Sequence, residues 1–159
     1  MIKQQALYSR AECNPDCSGC SILDKTKPAH AIMDYPDLKQ GDVLFLSDSY
    51  RHRFSKLSAF SKGERDLIKE CFPGEAFQVS PAVKCPKVKE VDMSPNNMVL
   101  CRSHLEKTID KVKPRLVYVC GNLAMKMLIK KSGITGKRGK SYEYATTEGH
   151  TCTVVPLFH

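Results

Sequence analysis

The stretch "KPRLVYVCGNLAMKMLIKKSG", Lys113 to Gly133, decides the fold class. Arg115 to Cys120 is a short apolar run rich in β-branched and aromatic residues and reads as a buried strand. The segment that follows, from Gly121, reads as a helix. Outward from this strand-to-helix step the same alternation recurs. "DVLFLS" (Asp42 to Ser47), after a Lys-Gln-Gly turn, and "FQVSPAV" (Phe77 to Val83) read as strands, with Pro81 expected to break the second near its end. Between them "KGERDLIKECF" has helical spacing in Leu67, Ile68 and Cys71 and stops at Pro73-Gly74. Ser94 followed by Pro95 has the form of an N-cap with proline at the first helical position, opening a helix through about Val112. "CTVVPLF" closes the chain as another strand. Strand and helix in alternation imply an α/β protein with a parallel sheet and helices on both faces.

Length and composition narrow the function. A chain of 159 residues suits one domain with its own core. Its 25 Lys and Arg against 17 Asp and Glu leave a net charge of +8, with basic knots at "SYRHRFSK" and "KKSGITGKRGK". Such a surface suits a polyanion, and nucleic acid is the favoured partner because phosphate contacts release counterions. A solvated basic surface is the plain alternative. The N-terminus has no apolar signal core, and no run approaches the ~20 residues of a membrane span. A cytosolic protein with reduced thiols is expected, and in that setting clustered cysteines hold metal more often than they form disulfides. Of the eight cysteines, the pairs Cys17 with Cys20 and Cys85 with Cys101 suit a tetrahedral zinc or an iron-sulfur cluster equally well.

Parallel sheets place their sites at the carboxyl ends of strands. Those positions are Ser47-Asp48-Ser49-Tyr50, Pro81 to Cys85, Gly121-Asn122 and His159. On the plainest reading Asp48 caps a turn. Gly121-Asn122 opens a helix whose N–H groups can meet an anion.

The succession "CSGCSIL", "VLFLSDS", "VKCP", "MVLCRSHL", "KPRLVYVCGNLAMKML", "GKRGK" and "VVPLFH" resembles the iron-sulfur uracil-DNA glycosylases, often called family 4. It is also similar to the glycosylase-like domains fused to some phage DNA polymerases. The likeness runs from about Cys13 to the last residue. It implies a three-layer α/β/α fold with a central parallel four-stranded sheet. It also implies a 4Fe-4S cluster on Cys17, Cys20, Cys85 and Cys101, with zinc as the alternative and Cys13 left out. Cys71, Cys120 and Cys152 then read as buried thiols acting as small hydrophobes.

The resemblance further implies hydrolysis of the base-sugar bond of a nucleotide flipped out of DNA, as in base excision repair. Asp48 stands where the family's G-E-A-P-G motif places its water-positioning carboxylate. His159 stands at the histidine of the family's HPS loop, the group that stabilises charge on the departing base. Phe60, in "SAFSKGERDL", is the base-stacking candidate, with Phe54 and Tyr50 as rivals. Lys137, Arg138 and Lys140 resemble a segment that follows the phosphate backbone.

Two departures qualify the likeness. Pro81 occupies the position of the uracil-reading asparagine in the family's "TNVVKC", and proline has neither an amide side chain nor a backbone N–H. The family pattern also continues past its histidine, whereas this sequence stops at His159. The expectation is one glycosylase-like domain over residues 1–159 lacking its C-terminal portion, with a replication protein or the remainder of a longer polypeptide as partner. The setting is the cytoplasm, that of the host if phage-encoded. Two functions follow: a uracil-DNA glycosylase, or a catalytically degenerate 4Fe-4S DNA-binding domain of phage-type replication machinery. His52 reads as part of a basic loop, and His30, His104 and His150 have no assigned partner.

Overall fold

The computed structural model describes residues 17, 19–22, 38–53, 56–74, 76–86 and 89–158. At its centre runs β1 (Val43–Arg53). The short β2 (Lys56–Ser58) folds back antiparallel on the end of β1, and β3 (Phe77–Pro86) pairs parallel along its length. On the opposite side β1 pairs parallel with β4 (Leu116–Cys120). An antiparallel hairpin follows, β5 (Tyr142–Ala145) and β6 (Thr151–Leu157), and β6 pairs parallel with β4. The order β3-β1-β4-β6 is the expected central sheet of parallel strands, with β5 added at the edge.

Side-chain alternation along β1 builds the layers. Leu44 and Leu46 are fully buried in one apolar cluster with Val117, Val119 and Val154. The helices α2 (Pro95–Val112) and α3 (Asn122–Ile129) cover that face with Leu105, Ile109, Leu123 and Leu128. Val43 and Phe45 form a second cluster with Ile68 of α1 (Lys62–Cys71) on the other face. There Phe45 stacks on Tyr118 at 4.9 Å and meets Phe72 edge-on at 5.5 Å. One apolar cluster on each face makes the fold three-layered, and each fully buried Leu or Val contributes about 1.5–3 kcal/mol.

Local signals fix the helix ends. Ser61 caps α1 in a reciprocal box with Glu64: the Ser61 N–H donates to Glu64 Oε2 at 2.6 Å and the Glu64 N–H to Ser61 Oγ at 3.2 Å. Ser94 accepts from the Asn97 N–H at 3.1 Å, with Pro95 at the first helical position. A last helical turn, α4 (Ile134–Lys137), precedes β5.

Several expectations are corrected. Pro81 does not break β3, which runs on to Pro86; this strand lies at the sheet edge, where a proline costs no pairing on the open side. β1 continues past Ser47 because β2 and β3 both pair with its extension. Leu67 is 59% exposed and Cys71 is exposed, so α1 buries a narrower stripe than its spacing suggested, centred on Ile68. Cys120 and Cys152 are buried, as expected.

Candidate functional site

The carboxyl edge of the sheet is assembled from Asp48, the β4 terminus at Cys120-Gly121 and the end of β6. Asp48 follows Leu46 by two residues and so shares the face covered by α3. Its Oδ1 accepts from the Ala124 N–H at 2.7 Å. Gly121, the N-cap of α3, has no side chain to offer that helix and adopts φ 118; a Cβ there would run into the Asp48 carboxylate. The anion at this helix start is therefore the protein's own aspartate, and the positive end of the helix complements its charge. Cys120 sits beside it. Burial, with the carboxylates of Asp48 and Glu64 adding to it, pushes this thiol up to about 12, which makes it an inert packing group.

Phe60 is buried, in the cluster that holds Cys120, Ala59 and Ile68 on the α1 face. Asp48 and Phe60 thus approach the same edge from opposite faces of the sheet. Pro81 is buried in register with Ser47, the row next to Asp48. Its carbonyl accepts from Lys84 Nζ at 3.1 Å, and the same buried ammonium donates to Ser80 Oγ at 2.6 Å. Lys84 was not singled out in the sequence; a lysine in an apolar strand gives no sign that it will be buried. His159 and Phe54 lie outside the described residues, as does the side chain of Tyr50.

The basic turn reaches this edge through backbone bonds. The Gly139 N–H donates to the Pro156 carbonyl at 2.9 Å, and the Ile134 N–H to Asn122 Oδ1 at 3.1 Å, tying α4 to both β6 and the start of α3. Arg138 and Lys140 are exposed and Lys137 half-buried. The Arg138 guanidinium lies 4.6 Å from the ring of Phe158, which is 50% exposed.

A second constellation gathers Cys17, Cys20, Cys85 and Cys101, all buried in one cluster with Ile22 and Met93. Cys17 and Cys20 share a tight turn closed by the Cys20 N–H on the Cys17 carbonyl at 3.0 Å. Cys85 ends β3, and Cys101 lies on α2. Burial first, then the nearby thiols of Cys85, Cys20 and Cys17, push Cys101 up to about 12, with Lys84 pulling the other way. The three other thiols thus stand close enough to act on it. Among the described residues no three His, Cys, Asp or Glu side chains are set to hold a single metal ion as they stand. The donor set is all sulfur, buried and drawn from three separate segments. Four buried thiols of this kind suit either a tetrahedral zinc or an iron-sulfur cluster.

Two polar side chains on α2 were missed as site residues. Asn97, 1% exposed, donates from Nδ2 to Ser21 Oγ at 2.9 Å and accepts from the Ser21 N–H at 3.3 Å. His104 Nε2 lies 3.2 Å from Cys17 Sγ. Their spacing around Cys101 was visible, but only the fold brings the N-terminal turn against that helix face. His150 bonds the Pro114 carbonyl at 2.7 Å through Nε2 and has a structural place.

The family model of the uracil-DNA glycosylase superfamily matches residues 44–159. The chain belongs to that superfamily. A type-4 uracil-DNA glycosylase from Sulfurisphaera tokodaii is 25% identical over 155 residues, covering 90% of this chain and 69% of that protein. The superfamily match takes in β1 with Asp48, Phe60, both Cys85 and Cys101, and the basic turn, while the Cys17–Cys20 turn precedes it. Among the described residues no helix is long and apolar enough to cross a membrane.

Proposed function

We propose that this superfamily member is a DNA N-glycosylase of the uracil type, hydrolysing the bond between a base and its deoxyribose. The observation that carries this reading is the Asp48 carboxylate, fixed at the carboxyl edge of the central sheet by the Ala124 N–H. A carboxylate accepts several hydrogen bonds at once, so being held by α3 and orienting a water are compatible. In this reading Asp48 positions the water that attacks the sugar carbon, Phe60 forms one wall against the flipped base, and His159 meets the charge that develops on the departing base. Lys137, Arg138 and Lys140 follow the phosphate backbone. Proline at position 81 leaves the base edge to be read by other groups, and this predicts weaker discrimination among bases than an asparagine would give.

The four thiols are proposed to hold a 4Fe-4S cluster, which would clamp the N-terminal turn, the end of β3 and α2 into one body. Support comes from the all-sulfur donor set and from Lys84, whose positive charge acts on the same pocket. A zinc ion would be reported by metal analysis as one zinc and no sulfide.

A second reading keeps the fold, the cluster and DNA binding without catalysis, as in a domain attached to replication machinery. Pro81 favours it. The deciding experiment incubates anaerobically prepared protein with single- and double-stranded oligonucleotides containing one uracil, followed by alkali. Alkali-labile sites made by the parent and lost in Asp48→Asn support the enzyme. Bound but uncut DNA supports the binding domain.

A further inference from the structure

We infer that His104 donates a hydrogen bond from Nε2 to the Cys17 sulfur, and that this bond holds the cluster in the protein and raises its reduction potential. The inference rests on the cluster reading above. Both side chains are buried, His104 being 7% and Cys17 6% exposed, and the two atoms stand 3.2 Å apart. As a free thiol Cys17 is able to donate or accept. As a ligand it is a thiolate with no proton, so only the ring can donate, and the contact becomes a charge-assisted bond. His104 is not needed as a ligand itself, because four cysteines complete the set that such a cluster takes.

The placement follows from helix geometry. On α2, Asn97, Cys101 and His104 lie about one turn apart along one buried face. Asn97 ties that face to Ser21 and His104 ties it to Cys17, so Cys101 is flanked by one bond into the C-x-x-C turn and one to the residue that follows it. Outer partners of this kind orient ligands, and hydrogen bonds to cluster sulfurs move the potential upward because they stabilise the more negative, reduced state.

The test uses the full chain, purified anaerobically, with His104→Phe and His104→Gln beside the parent. Iron and sulfide content, midpoint potential and the rate of bleaching by a chelator in air are measured. His104→Phe is expected to keep the parental iron, to show a more negative potential and to bleach about tenfold faster, the lower end of what outer partners contribute to metal retention. His104→Gln, which keeps an N–H donor, is expected between the two. Electron-nuclear double resonance on the reduced parent with 15N-histidine gives a readout that needs no variant: a weak nitrogen coupling is expected. A strong, directly bonded coupling, or iron retained in Cys17→Ala but lost in His104→Phe, would make His104 a ligand and overturn the inference. Parental potential and bleaching in both variants would also overturn it. A parent without iron and sulfide overturns the cluster reading itself, and this inference with it.

Discussion

At the Asp48 corner the protein answers its own charge: the Ala124 N–H and the α3 terminus meet the carboxylate, and Gly121 clears the space for it. In the cysteine pocket burial and mutual repulsion raise Cys101 instead, and Lys84 and His104 are the polar groups that approach. The first region is complete as folded, so its chemistry concerns what is brought to it. The second gains most when something draws four thiolates together. Stability in the first is a matter of capping, and in the second of the proposed cluster.

The largest expected effect tests the pocket. Cys85→Ala and Cys101→Ala should each abolish visible absorbance and bound iron; absorbance equal to the parent would remove these residues as ligands. At the corner, Gly121→Ala combines a backbone at φ 118 with a collision on Asp48, and about 1–3 kcal/mol of stability should be lost in chemical denaturation. Asp48→Ala should cost about 0.5–2 kcal/mol as a lost cap. Asp48→Asn retains an acceptor oxygen, so it should keep most of that stability while alkali-labile sites fall by about 100-fold or more. Equal losses of stability and activity in both variants would reduce Asp48 to a cap.

Smaller effects are expected at the periphery. Replacing Lys137, Arg138 and Lys140 together by alanine should weaken DNA binding and lower the slope of log affinity against log salt by up to about 3, with no change in melting temperature. An unchanged slope would place DNA elsewhere. The smallest effect concerns Glu106, which sits on α2 beyond Cys101 and His104 and bonds to Tyr144 and Thr147. Burial works against its charge, but hydrogen bonds from Tyr144 and Thr147 outweigh this and hold its carboxyl below the ordinary range. A carboxyl lowered on folding stabilises the fold above the unfolded value of 4.5 and loses that contribution as pH falls through the folded one. Glu106→Gln should therefore flatten the acid limb of the stability profile and leave neutral DNA binding unchanged.

Much of this was legible because it is local. Ser94-Pro95 announced α2, and the apolar run before Gly121 announced β4 and α3. The antiparallel β5 was not read: four residues with half-exposed tyrosines take their pairing from β6, not from their own pattern. Cys71 was misassigned to the core because spacing marks a stripe without its width, and α1 lies against the sheet along Ile68.

The sequence by itself determined the order of the parallel strands and the main helices, the basic charge and the family, since these depend on residue type and spacing. Only the tertiary structure decided what each polar group meets. Asp48 and Ala124 are 76 residues apart, and Cys17 and His104 are 87 apart. No local rule links residues so distant. Their contacts arise because parallel pairing sets β1 beside β4, while packing lays the N-terminal turn on α2.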